Sequence, residues 1–138
     1  MRFWDSSAIV PLLLEQPSTP RSRVLLDEDP DIVAWWGTSV ECASAVARLR
    51  RAGHLRASDE AAALRTLERL RQGWYEVLPG ESVRALALRV LRLHPLRSAD
   101  ALQLAAALEW SGTPANGVVV TFDDRLARSA ELEGLQLA

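Results

Sequence analysis

Short apolar runs alternate along the chain with longer segments whose apolar residues recur every three or four positions. The short runs predict β-strands and the longer segments predict helices, because side chains repeat every two residues in a strand and about every 3.6 in a helix. The predicted strands are 3–4, 32–36, 74–78, 117–121 and 135–137. The predicted helices are 8–15, 19–28, 38–52, 58–72, 81–93, 99–110 and 123–133.

This alternation is typical of an α/β fold in which a central, mostly parallel sheet is covered by helices on both faces. The 138 residues contain no repeat and no linker, which predicts a single domain over residues 1–138. In a parallel sheet the carboxyl ends of the strands lie at one edge, where open α/β sheets bind their ligands.

Polar residues mark the starts of the predicted helices. Thr38 and Glu41 have the spacing of a capping box. Thr19 and Ser98 stand at predicted N-cap positions, and Asp123 is a further candidate cap. These assignments give each residue a purely structural role.

Four acids also stand where the predicted sheet would gather them: Asp5, Glu41, Asp100 and Asp123. Asp5 and Asp123 follow strands, whereas Glu41 and Asp100 lie in the first turns of helices. Taken singly, each is explained by capping or by the helix dipole. Taken together, carboxylates ~5 Å apart would repel by roughly 3 kcal/mol per pair at an effective dielectric near 20. A hard cation such as Mg²⁺ or Mn²⁺ would turn that repulsion into binding.

Composition narrows the chemistry. The chain has a net charge of −2, and all 16 of its strong cations are arginine. The lack of lysine excludes a Walker P-loop, a Schiff base and a phosphoreceiver lysine. The lone Cys42 is expected to be a buried core residue, and His54 and His94 are expected to be capping or solvated residues. No apolar run approaches the ~20 residues of a membrane span, and no signal peptide is apparent, so we expect a cytoplasmic protein.

Four blocks in order resemble the PIN domain family. They are Asp5-Ser-Ser7, Thr38-Ser-Val-Glu41, Arg97-Ser-Ala-Asp100-Ala-Leu-Gln-Leu-Ala105 and Val120-Thr-Phe-Asp123. The resemblance covers nearly the whole chain and looks closest to VapC-type ribonuclease toxins of toxin–antitoxin pairs. The bulky Trp35-Trp36-Gly37 segment before the second acid is a departure from the family pattern.

The resemblance implies a Rossmann-like three-layer α/β/α sandwich and a metal-dependent endoribonuclease. Asp5, Glu41, Asp100 and Asp123 would be the catalytic residues and would hold one or two Mg²⁺, with Mn²⁺ able to substitute. Asp5 and Asp100 would bind directly, and Glu41 and Asp123 directly or through water. Ser6 and Thr121 would orient carboxylates or bind phosphate. The implied partners are an RNA substrate, a cognate antitoxin protein and a second copy of the chain in a homodimer, with no membrane.

Arg97 is the arginine closest in sequence to a site acid, and it is either a substrate-binding residue or the partner of an acid in an ion pair. A second group of arginines, at the end of the Glu41 helix, is interpreted as a solvated or antitoxin-binding surface rather than an RNA cradle. Those residues are Arg48, Arg50, Arg51 and Arg56. Trp4, Trp35 and Trp36 fall in predicted strands and are interpreted as core or interface residues rather than base-stacking platforms.

Three other functions are open. A PIN-like binding module without turnover would keep the fold but would not require four acids. A PIN-like DNA nuclease would use the same chemistry, although such enzymes usually carry extra helical elements. A haloacid dehalogenase-type phosphatase also begins with a strand and an aspartate, but it requires Asp-x-Asp and a lysine. Here Ser7 stands at the second position and the chain has no lysine.

Overall fold

The computed structural model describes residues Met1–Ala138 and contains seven helices and five strands. The strands are β1 (Arg2–Trp4), β2 (Ile32–Trp35), β3 (Tyr75–Val77), β4 (Val118–Val120) and β5 (Gln136–Leu137). The helices are α1 (Ser6–Leu13), α2 (Thr19–Glu28), α3 (Thr38–Arg51), α4 (Ala57–Gly73), α5 (Glu81–Leu93), α6 (Ser98–Ser111) and α7 (Asp124–Leu132). Every predicted element is present, with ends shifted by a few residues.

The five strands form one sheet in the order β3-β2-β1-β4-β5, and every pairing is parallel. The prediction of a mostly parallel sheet is therefore confirmed. The strand order places β1 in the centre, between β2 and β4. Asp5 follows this central strand directly, at the carboxyl edge of the sheet.

Alternate side chains of the central strands pack on opposite faces of the sheet, as pleating requires. Phe3, Val33 and Val119 belong to a core cluster that packs mainly against α5, α6 and α7. The next residue of each strand, Trp4, Ala34 and Val120, joins a second cluster with residues of α1 to α4. The helices thus form one layer on each face, which confirms the three-layer sandwich.

Three predicted helix caps are wrong. Thr38, Thr19 and Ser98 are each the first helical residue, and the preceding residue is the N-cap. Thr38 does not form a capping box with Glu41, since both side chains bond to groups on other elements. Thr19 is fully buried, and its hydroxyl donates to the carbonyl of Pro11. The hydroxyls of Thr38 and Thr19 therefore fix contacts to other elements in place of capping.

The segment after β2 differs from its predicted conformation. The strand ends at Trp35, so Trp36 lies outside it, and its side chain is 50% exposed. Trp36 is therefore neither a strand residue nor a core residue, and its interpretation as an interface residue stays a prediction, whereas Trp35 and Trp4 are buried as expected. The Trp35 indole covers Gly37, where an added Cβ would lie 2.6 Å from Nε1. Position 37 therefore needs glycine, because a side chain there would collide with the Trp35 indole just before α3.

A buried polar cluster ties α7 to α5 on the face opposite α1. Glu133, just beyond α7, accepts hydrogen bonds from Arg89 at 2.5 Å and from His94 Nε2 at 2.7 Å. The side chains of Glu133 and His94 are only 10% and 9% exposed. Burial raises the pKa of Glu133, but the hydrogen bonds from Arg89 and His94 outweigh it and hold that pKa below its usual range. His94 is the C-cap of α5, as one of the two expected roles predicts, with its backbone N–H bonded to the carbonyl of Val90, but its side chain is not solvated.

No helix of the structure is both long enough and apolar enough to cross a bilayer.

Candidate active site

Asp5 forms the centre of a polar network at the carboxyl edge of β1. Its buried side chain caps α1, with Oδ2 accepting from the backbone N–H of Ser7 at 3.1 Å. The same oxygen accepts from the hydroxyls of Ser7 and Thr121. Its other oxygen, Oδ1, has only the Ser6 hydroxyl, at 3.4 Å. Oδ2 is therefore fixed by three donors, and Oδ1 is the oxygen with bonding capacity left.

Two adjacent serines connect Asp5 to other elements. Ser6 Oγ donates to Glu41 at 3.0 Å, joining the start of α1 to the first turn of α3. Ser7 Oγ donates to Asp5 and accepts from the backbone N–H of Phe122 at 2.8 Å, joining the same turn to the end of β4. The polar residues that follow β1 thus connect the start of α1 to α3 and to the segment after β4.

Glu41 is held from two sides. Gln103, which is fully buried in α6, donates to Glu41 Oε1 at 3.2 Å, while Ser6 donates to Oε2. Gln103 also donates to the Thr38 hydroxyl at 3.0 Å. These contacts satisfy buried polar groups that would otherwise destabilise the fold. They also connect the helix that carries Glu41 to the helix that carries Asp100.

Asp100 and Asp123 approach the same edge from α6 and β4. Asp100 lies in the first turn of α6. Asp123 is the N-cap of α7, and its Oδ1 accepts from the N–H of Leu126 at 2.8 Å. The predicted capping role of Asp123 is therefore confirmed. One of its oxygens serves the helix, which leaves Oδ2 for another bond.

All four acids line one cavity of about 940 Å³, together with Ser6 and Ser7. Burial raises the pKa of Glu41, and the charges of Asp5 and Asp100 raise it further, although hydrogen bonds from Gln103 and Ser6 oppose the shift. Burial also raises the pKa of Asp100, with the charges of Asp123 and Asp5 adding to it. The four carboxylates are therefore close enough to influence one another electrostatically.

The donor set is chemically suited to a hard divalent cation. Carboxylate oxygens are the ligands that Mg²⁺ and Mn²⁺ prefer, and Asp5 and Asp123 each have an oxygen available. Three or more Asp, Glu, His or Cys side chains do not close around a common point as a preformed cage. Mg²⁺ usually retains several waters and binds through one or two carboxylates. The residues therefore fit such an ion.

A family model for the PIN domain matches residues 2–132. The chain belongs to the PIN domain family. A search of curated proteins gives no significant match.

Solved structures share this PIN fold over nearly the whole chain. FitAcB from Neisseria gonorrhoeae superimposes with a TM-score of 0.70 at 21% identity, covering 99% of this chain and 96% of that one. FitAB bound to an IR36 DNA fragment superimposes with a TM-score of 0.70 at 19% sequence identity, and the match covers 100% of this chain and 94% of that one. A toxin–antitoxin complex from Klebsiella pneumoniae superimposes with a TM-score of 0.66 at 13% sequence identity, and the match covers 92% of this chain and 91% of that one. At these identities the likeness establishes the fold.

Most residues predicted for the PIN site lie in the network, with one exception. Ser6 contacts Asp5 and Glu41, and Thr121 donates to Asp5. Arg97 is instead an exposed N-cap residue that forms no ion pair, and it does not line the cavity. Its charge and backbone N–H act only to lower the pKa of Asp100, against the larger effects that raise it. The roles of the four acids in catalysis and metal binding stay predictions.

Two residues of the PIN site were not singled out from the sequence. Ser7 was noted only as part of the Asp5 block, yet its hydroxyl bonds both Asp5 and Phe122. Gln103 lies within the Arg97–Ala105 block, but the block alone assigns it no role. A signal was available, because Gln103 is the one polar residue in an otherwise apolar stretch of α6 and stands three positions after Asp100, on the same side of the helix.

Proposed function

We propose that this PIN protein is a metal-dependent endoribonuclease and the toxin of a toxin–antitoxin pair. The observation that carries the proposal is the single cavity at the carboxyl edge of β1 that Asp5, Glu41, Asp100 and Asp123 line together. Four carboxylates in one cavity repel a phosphodiester, and a divalent cation reverses that repulsion. Cleavage of a phosphodiester bond is the reaction that such a site supports best.

In this mechanism Asp5 and Asp100 would hold Mg²⁺ directly, with Mn²⁺ able to substitute, and Glu41 and Asp123 would hold it directly or through water. When bound, such an ion supplies charge neutralisation at phosphorus and an activated water. Ser7 and Thr121 keep Asp5 Oδ2 in place, which leaves Oδ1 with bonding capacity in a residue that lines the cavity. Ser6 and Gln103 hold Glu41 by one hydrogen bond to each of its carboxylate oxygens. Carboxylates held by such outer contacts bind metal in a fixed geometry.

A proteinaceous antitoxin is the proposed partner, and a homodimer is the proposed state. The antitoxin is supported by the structural neighbours, one of which is a toxin–antitoxin complex. The proposed location of such a pair is the cytoplasm, where its RNA substrate would be found. Substantial apolar exposure on α5, with Leu88 61% and Leu91 39% exposed, supports a protein-covered surface.

The test compares RNA and DNA single strands of one sequence, with Mg²⁺, with Mn²⁺ and with a chelator. RNA cleavage that requires the ion is expected. Asp123→Asn should lower the initial rate ~10–100-fold or more, while asparagine keeps the cap of α7. Asp124→Asn is the matched control, because Asp124 is exposed and does not line the cavity. Cleavage of DNA alone would identify a DNA nuclease, and no cleavage of either would favour a binding module.

A further inference from the structure

The cavity that holds the four acids continues well beyond them along α3. Val40, Ser44, Arg48 and Ala52 line it, and they follow one another at intervals of four residues. Residues four apart lie on one side of a helix. The cavity is therefore a groove that follows α3 from its first turn to its last, and Gln16 also lines it.

The far end of the groove is basic. Arg48 and His54 line it there, at the end of α3. Gly53 ends the helix with a φ of +81°, a conformation that favours glycine, and the His54 N–H bonds back to the carbonyl of Leu49 at 3.0 Å. This closing turn fixes the backbone of His54 beside the groove.

Arg48 differs from the other arginines near the end of α3. Arg50 pairs with Glu60 at 3.4 Å, and Arg56 pairs with Asp59 at 3.1 Å. Arg51 has no acidic partner, but it does not line the groove. Arg48 alone both lines the groove and has no carboxylate within 4.0 Å. Its positive charge is thus available to a ligand.

The distance between the two ends fits a nucleic-acid strand. Arg48 is seven residues after Glu41, which is ~10 Å along a helix at about 1.5 Å per residue. A stacked strand advances ~3.4 Å per nucleotide, so ~10 Å spans about three nucleotides. A groove of about 940 Å³ is at the upper end of the size of ligand pockets, which leaves room for a short strand.

We propose that Arg48 binds a backbone phosphate of a single-stranded nucleic acid two or three nucleotides from the bond that is cleaved. The inference rests on the proposed nuclease function, because the acidic end of the groove would hold the scissile phosphate. A guanidinium binds phosphate through paired hydrogen bonds, and the Ser44 hydroxyl and the His54 ring supply further donors on either side. Arg48 is thereby reassigned from the antitoxin-binding surface to the substrate groove.

The first test measures the binding of labelled two- and eight-nucleotide RNA strands by fluorescence anisotropy in EDTA, where cleavage is blocked. Arg48→Gln should weaken binding of the eight-nucleotide strand about tenfold and reduce the slope of log K against log salt by about 0.7. Arg51→Gln is the matched control, with the same loss of charge from the same helix outside the groove. It should leave both quantities close to those of the wild type.

The second test uses substrate length. With Mg²⁺, Arg48→Gln should lower kcat/KM for the eight-nucleotide strand about tenfold but leave kcat/KM for the dinucleotide unchanged, since a dinucleotide at the acids is too short to reach Arg48. A wild-type protein that cleaves neither strand would remove the proposed nuclease function, and the binding comparison in EDTA would still decide the role of Arg48.

Three results would overturn the proposal. The first is an equal loss of binding in Arg48→Gln and Arg51→Gln, which would show a diffuse charge effect. The second is an eight-nucleotide strand that binds the wild type and Arg48→Gln with equal affinity, or that binds neither protein. The third is an octaglutamate peptide whose binding depends on Arg48 while that of RNA does not, which would assign the arginine to an acidic protein partner.

Discussion

Thr121 donates a hydrogen bond of 3.0 Å to Asp5 Oδ2 across 116 residues of sequence. The same hydroxyl oxygen accepts from the backbone N–H of Asp123 at 3.1 Å. One threonine at the end of β4 therefore fixes the acid after the central strand and the first residue before α7. The two acids keep their relative position through this side chain.

Replacing Thr121 by valine should impair both folding and cleavage. Valine has a similar shape but no hydroxyl, so one donor to Asp5 is lost and the Asp123 N–H is left without its partner. We expect a loss of about 1–3 kcal/mol in the free energy of unfolding and a ~10–100-fold lower cleavage rate. Urea unfolding and initial rates measure the two effects. Thr121→Ser should restore most of both, and a valine variant as active as wild type would contradict the positioning role.

Magnesium should stabilise the protein, and the effect should weaken on acidification. Millimolar Mg²⁺ is expected to raise the melting temperature at neutral pH by binding the folded state. The raised pKa values of Glu41 and Asp100 mean that protons compete with the ion at a pH above the ordinary carboxylate range. Calorimetry between pH 5 and 8 measures the shift. A shift of equal size in Na⁺ at matched ionic strength, or in Asp100→Asn, would show that the ion binds elsewhere.

Without metal, Glu41→Gln should stabilise the protein while it impairs cleavage. The folded-state pKa of Glu41 is raised, so its stabilising contribution is complete at low pH and is lost as the pH rises through that pKa. Glutamine stays uncharged, so at pH 7 the melting temperature should rise by a few degrees, and the gain should vanish at acidic pH. Glu15→Gln, at an exposed ion pair with Arg23, should show neither effect. A destabilised Glu41→Gln would mean that its hydrogen bonds matter more than its charge.

Glu133→Gln should destabilise the protein at neutral pH, and the loss should shrink as the pH falls. The pKa of Glu133 is lowered from 4.5, so its contribution is present above that value and is lost as the pH falls through the folded-state pKa. The charged bonds to Arg89 and His94 should be worth about 1–3 kcal/mol at neutral pH. The difference from wild type should narrow in acid. Glu131→Gln, an exposed acid of α7, is the control for urea unfolding at each pH.

The fold could be predicted because the strands and helices carry clear periodic patterns. The parallel sheet followed from the alternation of elements, and the position of Asp5 followed from the place of carboxylates after strands. Both depend on short-range patterns, and both are confirmed in the structure.

The site network could be predicted only in part, because its contacts join residues far apart in sequence. Thr38 and Glu41 have the spacing of a capping box, yet Gln103 bonds to both. Because Gln103 is buried between them, bonding to it is more favourable for Thr38 and Glu41 than a capping box, and the spacing of the two residues in sequence does not reveal the presence of Gln103. Arg97 shows the reverse case, since its nearness to Asp100 in sequence does not bring its side chain to the cavity.

The central place of β1 also sets an order of events during synthesis. The strand β1 pairs on one side with β4, which begins only at Val118. A nascent chain that ends before that residue has no Thr121 to fix Asp5 and no Asp123 to complete the cavity. A PIN domain built on this topology therefore completes its cavity only after β4 and the residues that follow it have been synthesised.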